Sequence, residues 1–264
     1  MTREWIDYED ARPGGRERVA GTVKVLPAVA SAALGNERDI LVYLPPSYPV
    51  ANRTYPTLYM HDGQNLFDPE TSFAGEWGVD ETLEALAGEG LEAIVVGIPN
   101  AGESRLDEYG PFRDPALGGG RASDYLAFVV ETVKPLVDAS FRTTSEAART
   151  ATIGSSMGGL VSLYAHFVRP EVFGLAGAFS PSIGFGRGAT LRFLREAPKV
   201  PGKVYLDVGG RERMSPLVHE ARNVLIEKGY RTGKDLLFVE DDSGGHDEAS
   251  WARRLPRALR FLLA

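Results

Sequence analysis

The feature that most constrains the fold of this chain is a regular alternation between two kinds of hydrophobic segment. Short runs rich in branched and aromatic residues, typical of buried strands, occur at positions 21–25, 40–44, 57–61, 93–98, 151–153, 175–179, 203–208 and 236–239. Segments with helical periodicity separate most of the later runs, at positions 79–87, 123–139, 157–168, 216–228 and 248–263. Strands joined through helices make right-handed crossovers, so the pattern predicts an α/β fold.

The expected architecture is a mostly parallel, eight-stranded sheet with helices on both faces, a three-layer sandwich. The first two strands are joined without a helix, so they can pair antiparallel at one edge. The glycine-rich stretches at 118–120 and 184–188 are too short to separate domains, and they fit loops above the sheet. We therefore expect residues 1–264 to form a single domain.

Composition excludes several classes of function. The chain has a formal net charge of −7, which gives no electrostatic reason to bind nucleic acid or anionic lipid. It has no cysteine, which excludes disulfides, thiolate metal ligands and thiol nucleophiles. An oxygen nucleophile is the remaining choice for covalent catalysis.

Targeting signals are absent from the sequence. The first ten residues carry five charged side chains and no apolar core typical of a secretion signal, and no run of about 18 apolar residues occurs anywhere. These observations predict a soluble cytoplasmic protein with no membrane partner, although a signal cleaved from a longer precursor would leave no trace. The sequence does not predict an oligomeric state.

The motif that carries chemistry lies at residues 150–160 (TATIGSSMGGL). It contains Gly-x-Ser-x-Gly, built from Gly154, Ser156 and Gly158, directly after a predicted strand and before a predicted helix. Such a nucleophile elbow lifts the serine hydroxyl out of the sheet on a strained turn, where flanking glycines avoid collisions. The alternative is a tight packing turn with an idle serine.

A general base should reach this serine from a later loop. His246 lies between the last predicted strand and the last helix, so we predict that it activates Ser156. The alternatives are an idle loop histidine and a metal ligand within the acidic stretch 241–248. The other histidines fall in strand or helical patterns and are expected to pack or to lie at the surface: His61, His166 and His219.

The acid of the proposed triad should end the preceding strand, and two carboxylates qualify. Glu212 is preferred because it sits in the loop after the strand, whereas Asp207 lies within it. A carboxylate bonded to the imidazole fixes its tautomer and stabilises the imidazolium. Asp207 stays open as the alternative, and Glu212 could also be a solvated loop charge.

Four stretches together resemble the putative-esterase family of α/β-hydrolases. They are residues 58–67 (LYMHDGQNLF), 154–159 (GSSMGG), 205–212 (YLDVGGRE) and 245–251 (GHDEASW). The family includes esterase D, feruloyl and acetylxylan esterases, enterochelin esterases and the antigen 85 mycolyltransferases. The resemblance runs from about position 38 to the carboxyl end.

The resemblance implies an α/β-hydrolase fold and a serine carboxylesterase that needs no metal or organic cofactor. It also implies that the backbone amides of Gln64 and Met157 form the oxyanion hole. Glu212 matches the family's acid after the seventh strand, although many relatives have aspartate there.

The substrate is expected to be a small-molecule ester. An aromatic and polar set between the third strand and the long helix suits an aryl or sugar face. The substrate-binding residues predicted from this set are Asn65, Phe67, Trp77, Tyr109 and Phe112, with Asp68 and Phe73 beside them. Residues 180–189 offer the only lid, which favours short acyl groups or sugar esters over long lipids.

Three other functions fit parts of the sequence. An acyltransferase would keep the triad but pass the acyl group to another acceptor. A non-catalytic ligand binder would keep the pocket without the chemistry. A metal-dependent protein would be centred on the acidic stretch 241–248.

Overall fold

The structure, a computed structural model, describes residues 4–264, and within them one mixed sheet runs through the molecule. The strands are β1 (Ile6–Asp7), β2 (Thr22–Ser31), β3 (Asn36–Leu44), β4 (Thr57–His61), β5 (Ile94–Ile98), β6 (Thr150–Ser155), β7 (Leu175–Phe179), β8 (Lys203–Gly209) and β9 (Leu236–Asp241). Their order in the sheet is β1-β2-β3-β5-β4-β6-β7-β8-β9. From β5 to β9 all neighbours are parallel, while β1, β2 and β3 form an antiparallel edge.

Helices connect most of the strands. The α-helices are α1 (Tyr8–Ala11), α2 (Val79–Ala87), α3 (Arg105–Tyr109), α4 (Ala122–Ala127), α5 (Lys134–Ser140), α6 (Met157–Val168), α7 (Ala189–Glu196), α8 (Ser215–Glu227) and α9 (Glu248–Leu263). A π-helical segment, Phe128–Val133, joins α4 to α5. Within the described residues, none of these helices combines the length and apolar character needed to cross a bilayer.

The predicted α/β class and the mostly parallel sheet are confirmed, but the count of eight strands is wrong. The ninth strand is β1, in which Ile6 pairs with Val25 and Asp7 pairs with Lys24. Two residues are too few to show a strand period, so the sequence pattern cannot reveal such a strand. The helices α1 and α3, of four and five residues, are likewise too short to show a period, whereas α7 has eight residues and begins where the predicted lid ends.

Side-chain alternation along the strands builds an apolar layer on each face of the sheet. Met60 of β4 packs with α2 and α9 on one face. Its neighbour Tyr59 packs on the other face with Leu160 of α6. Successive strand residues point to opposite faces, so both faces need helical cover. The helices thus leave the carboxyl ends of the parallel strands free to carry functional loops.

A buried ion pair fixes α3 against the antiparallel edge. Arg38 of β3 donates from Nη1 to Glu108 Oε2 (2.8 Å) and from Nη2 to Glu108 Oε1 (2.9 Å). Both side chains are almost fully buried. The helix that this pair holds also carries Arg105 and Tyr109, which contact the loop after β4.

Replacing Arg38 by methionine should therefore destabilise the fold. The change leaves the Glu108 carboxylate buried without its cation, which typically costs about 3–5 kcal/mol of unfolding free energy. Urea unfolding would measure the loss. The control is Arg260→Met, because Arg260 and Glu89 form an ion pair in which both side chains are about half exposed (50% and 48%), and its unfolding midpoint should barely move. Equal losses in the two variants would contradict a special role for the buried pair.

Candidate active site

Ser156 occupies the bend between β6 and α6. Its backbone has φ 55° and ψ −118°, a conformation that is strained for a residue with a side chain. Its amide donates to the carbonyl of Phe179 at the end of β7 (2.9 Å). A Cβ on Gly154 would lie 2.8 Å from the carbonyl carbon of Gly158, so only glycine permits so close an approach. The sequence therefore builds a tight elbow that presents the hydroxyl at the edge of the sheet.

His246 meets this hydroxyl from the loop between β9 and α9. Asp247 caps α9 by accepting a hydrogen bond from the amide of Ser250 (2.8 Å), which sets His246 just before the helix. His246 Nε2 lies 2.9 Å from Ser156 Oγ. Its Nδ1 lies 2.7 Å from Glu212 Oε2. The three predicted catalytic residues thus form one continuous hydrogen-bonded chain.

Glu212 is almost fully buried and accepts hydrogen bonds at both oxygens. Besides His246, the amide of Gly209 (2.7 Å) and the hydroxyl of Ser180 (2.6 Å) donate to it, both to Oε1. Burial raises the pKa of the Glu212 carboxyl, but these donors outweigh it and hold that pKa below its usual range. The carboxylate is therefore kept charged where it faces the imidazole.

Asp207, the alternative acid, contacts other groups. Its carboxylate accepts from Arg254 Nε (2.9 Å), from the hydroxyl of Tyr205 (2.8 Å) and from the amide of Ser180 (2.9 Å). Burial raises the pKa of Asp207 to about 6, although Arg254 and the other donors oppose that rise. Of the two carboxylates, only Glu212 is hydrogen-bonded to the histidine.

The loop after β4 flanks the nucleophile on the other side. Asp62 adopts a left-handed conformation (φ 54°), and Gly63 passes so close to β5 that a Cβ there would lie 2.5 Å from the amide nitrogen of Ile98. Gln64 follows in the 3₁₀ turn Gly63–Asn65. Met157 is the first residue of α6, where a backbone amide has no acceptor within the helix. Both predicted oxyanion residues therefore lie in loops or helix ends beside Ser156.

Arg105 ties this loop to α3. Its Nε and Nη2 donate to the two oxygens of Asp62 at 2.7 and 2.8 Å, and Asn100 Nδ2 donates to Oδ1 at 2.7 Å. The amide of Asp62 donates to the hydroxyl of Tyr109 (3.1 Å). Burial disfavours the charge of Arg105, but the pairing with Asp62 raises its pKa above the usual value. A charged two-point contact of this kind fixes both position and orientation.

An open cleft of about 450 Å³ leads to Ser156 and His246. Its remaining walls are formed by residues from the loops after β4 and β5 and from α9: Asp62, Gln64, Asn65, Phe73, Ala74, Asn100, Gly102, Arg105, Ser155, Glu248 and Trp251. Phe73 is 91% exposed at the lip, and its amide donates to Asn65 Oδ1 (3.1 Å). Polar residues thus outnumber apolar ones around the cleft, and one free aromatic ring stands at its entrance.

Of the five predicted substrate-binding residues, Asn65 lines the cleft and the other four do not. Phe67 is buried in the core against Tyr43, and Trp77 packs against Phe179 and Trp251. Tyr109 is fully buried beneath Asp62. Phe112 packs with Tyr164 and Phe193. The structure therefore does not bring these four rings to the cleft, because large aromatic rings gain more by packing under their own loops than by facing water.

The predicted lid at residues 180–189 also folds down instead of covering the cleft. Ile183 and Phe185 are buried in the core. Ser182 instead approaches the nucleophile, with its Oγ 3.1 Å from Ser156 Oγ and its amide donating to the Ser156 carbonyl (3.0 Å). The entrance is therefore left uncovered by this segment.

Several residues of the site were not predicted from the sequence. They are Asn100, Arg105, Ser182, Glu248 and Trp251. Asn100 lies two residues after the end of a predicted strand, and Glu248 and Trp251 lie within the stretch 245–251 that resembles the family. Strand-end position was therefore an available signal for Asn100, but nothing in the spacing singles out Arg105 or Ser182.

The remaining histidines lie away from the cleft opening. His61 is buried between Tyr125 and Thr152, and burial lowers its pKa to about 4. Burial likewise lowers the pKa of His166 to about 4, and His219 faces Glu240 at the surface. His61 thus fills a structural position beneath the loop after β4.

The acidic stretch 241–248 does not form a cluster suited to a metal. Asp241 accepts from the Ser243 hydroxyl (2.9 Å) and faces Arg253 and Arg254. Within residues 4–264, the carboxylates close enough to share an ion are Glu76, Asp80 and Glu81, around the start of α2. The donor set around His246 therefore fits proton transfer better than metal binding.

Comparisons with known proteins identify a family and several relatives. Residues 31–262 match the family described as "Putative esterase". "Uncharacterized protein YbbA" of Bacillus subtilis (strain 168) is 29% identical over 243 residues, covering 86% of this chain and 93% of YbbA. The "Endo-1,4-beta-xylanase/feruloyl esterase" of Xylanibacter ruminicola is 24% identical over 242 residues, covering 88% of this chain and 30% of that protein.

Among solved structures, the enterobactin esterase FES from Shigella flexneri, in the presence of enterobactin, superposes with a TM-score of 0.74. It is 23% identical and covers 94% of this chain, which in turn covers 61% of FES. The chain thus spans less than two thirds of FES and of the xylanase/feruloyl esterase.

The fold and the family match define a carboxylic ester hydrolase of the serine hydrolase class. The chain belongs to the putative-esterase family, as the four sequence stretches predicted.

Removing the contact between Arg105 and Asp62, which holds the loop after β4, should impair activity more than folding. In Arg105→Met, Asp62 loses its two-point partner, so the loop is held less firmly and kcat/KM should fall at least about tenfold. Arg195→Met is the matched control, because Arg195 pairs with Glu220 on the exposed surface. Steady-state kinetics and a thermal melt, measured on the same variants, would separate the effect on activity from the effect on folding. Unchanged kinetics in Arg105→Met would contradict a role of the contact between Arg105 and Asp62 in activity.

Proposed function

We propose that this protein is a serine carboxylesterase that hydrolyses short-acyl, aryl or sugar esters through Ser156, His246 and Glu212. The observation that carries the proposal is the unbroken chain from Ser156 Oγ to His246 Nε2 (2.9 Å) and from His246 Nδ1 to Glu212 Oε2 (2.7 Å). Both distances lie within the range for proton transfer and for orientation of the base.

The reaction proceeds by two acyl transfers. His246 takes the proton of Ser156 while Oγ attacks the ester carbonyl, and the imidazolium then protonates the leaving alcohol. Water, activated by the same imidazole, cleaves the acyl-enzyme and regenerates the serine. Glu212 keeps Nδ1 protonated, so that Nε2 is free to act as the base.

The negative charge of each tetrahedral intermediate is stabilised by the backbone amides of Gln64 and Met157. The positive end of α6 adds to this stabilisation, because the helix begins beside the nucleophile. This mechanism uses no metal or organic cofactor. We further propose that it operates within a single cytoplasmic domain.

The cleft favours small neutral esters. It has a volume of about 450 Å³ and is lined by more polar than apolar residues, with Phe73 as a stacking surface at its lip. Enterobactin esterase and feruloyl esterase relatives suggest aryl esters, which such a ring can stack on. Among the described residues no lysine or arginine pairs with Glu248, while Arg105 is already neutralised by Asp62. An anionic substrate would therefore meet a carboxylate without gaining a free cation.

Ser156→Ala should abolish ester hydrolysis. Known losses of a triad nucleophile predict a fall of at least about a thousandfold in kcat. We would assay acetyl, butyryl and long-chain p-nitrophenyl esters, expecting the short esters to be preferred because the many polar side chains that line the cleft offer little to a long alkyl chain. A fluorophosphonate probe should label the wild type stoichiometrically and leave the variant unlabelled.

Each alternative has a distinct signature in this experiment. Near-wild-type activity in Ser156→Ala would exclude this serine as the nucleophile. Absence of both turnover and labelling in the wild type would indicate a ligand binder. A product that appears only when a sugar acceptor is added would indicate an acyltransferase.

Glu248→Gln should relax discrimination against anionic esters. Glu248 faces the cleft, and burial together with Asp62 and Asp247 raises its pKa. Removing a like charge a few ångströms from the substrate should raise kcat/KM for a carboxylate-bearing ester about fivefold relative to its neutral analogue. The control is Glu240→Gln on the outer surface of β9. An unchanged ratio would show that Glu248 does not contribute to selectivity.

A further inference from the structure

Ser180 is a buried serine in strained geometry, directly after β7. Its φ is 39°, in the left-handed region that residues with a side chain seldom adopt. Its hydroxyl donates to Glu212 Oε1 at 2.6 Å. Ser180 Oγ itself accepts hydrogen bonds from Trp251 Nε1 and from Arg254 Nη2, each at 3.0 Å. Ser180 therefore joins the proposed acid to two residues of α9.

These contacts fix the direction of the Ser180 proton. An indole N–H and a guanidinium can only donate hydrogen bonds, so Trp251 and Arg254 occupy both lone pairs of the hydroxyl. Its single proton is left to point at Glu212. A hydroxyl that accepts from a cation is also a stronger donor, because hydrogen bonds in a chain polarise one another.

Asp207 anchors this arrangement from within β8. It holds Arg254 through Nε (2.9 Å) and accepts from the Ser180 amide at Oδ1 (2.9 Å), which supports the strained backbone. The ion pair between Arg254 and Asp207 is almost fully buried. Such a pair is rigid, because breaking it would leave an unpaired buried charge.

We propose that Ser180, oriented by Arg254 and Trp251 and anchored through Asp207, is a positioning residue that keeps Glu212 ionised and turned toward His246. The inference rests on the proposed triad, and it gives Asp207, the carboxylate within β8, a function in the same site. Ser180 acts through Glu212 and does not touch the reacting atoms.

The pH dependence of activity should report this role. Four charged or titratable groups surround Glu212, each from a different part of the fold: His246 from the loop before α9, Arg254 from α9 itself, Asp207 from β8 and Asp241 from the end of β9. The Ser180 hydroxyl is one of the donors that lower the pKa of Glu212. Losing that donor raises the pKa of Glu212 and leaves a more basic carboxylate beside His246 Nδ1. Such a carboxylate stabilises the protonated, inactive form of the base, so activity is lost at a higher pH than in the wild type.

The decisive variant is Ser180→Ala. We expect kcat to fall about tenfold and the acid limb of the pH–rate profile to move up by about one pH unit, as for one hydrogen bond to a charged group. The control is Ser31→Ala, a buried serine at the end of β2 whose Oγ accepts from the Leu34 amide (3.2 Å). Its kcat and acid limb should match the wild type. An unmoved limb in Ser180→Ala, with or without lower activity, would overturn the proposal.

A double-mutant cycle separates positioning from structural support. In the Glu212→Gln background the carboxylate is gone, so Ser180→Ala should cost little further activity. An equal loss in both backgrounds would mean that Ser180 only supports the fold. If Ser180→Ala does not fold, Trp251→Phe removes one of the two donors that orient the hydroxyl, and the acid limb should move the same way; an unmoved limb there would overturn the proposal.

Failure of this inference is distinguishable from failure of the triad. If Ser156→Ala is inactive and the acid limb of Ser180→Ala matches the wild type, only the role of Ser180 is rejected. An active Ser156→Ala would reject the proposed triad, whatever Ser180→Ala does.

Discussion

The backbone bend at Ser156 is the constraint to which the rest of the site is fitted. A residue with a side chain is held at φ 55°, and the turn closes because Gly154 and Gly158 can touch. The bend lies on β6, near the middle of a parallel sheet whose carboxyl-end loops all open on the same edge. The loops after β4, β8 and β9 can therefore reach one hydroxyl without distorting the sheet, and the packed layers on both faces keep that bend from relaxing.

Two carboxylates on one strand and its loop show how environment divides roles. Asp207 and Glu212 are five positions apart, and both are buried, but Asp207 meets a guanidinium while Glu212 meets an imidazole. A full positive charge within a fixed fork makes the first contact a permanent anchor. The imidazole can gain and lose a proton, so the second contact suits a cycle in which charge appears and disappears.

Chain order predicted which parts of this site would meet, and it could not predict which side chains would face the cleft. Ser156, His246 and Glu212 follow strands whose order fixes the edge at which they arrive, so position along the chain was sufficient. Phe67, Trp77, Tyr109 and Phe112 lie in the right loops, but a loop has no period from which to read the direction of a ring. Arg105 was missed because its partner Asp62 is 43 residues away in the sequence, and β1 because two residues carry no pattern.

The free ring of Phe73 at the lip of the cleft has a consequence for divergence. The ring is 91% exposed, so it contributes little to the packing of the core. The backbone of Phe73 is held by its hydrogen bond to Asn65 rather than by packing of the ring. Under the proposed function, we expect substitutions at this position to alter which alcohol or acyl moiety is accepted while the bend, the imidazole and the buried carboxylates stay as they are. The residue proposed to contact the substrate at the entrance and the residues proposed to carry out catalysis thus lie in separate parts of the chain. A new substrate specificity could therefore evolve through substitutions at the entrance alone.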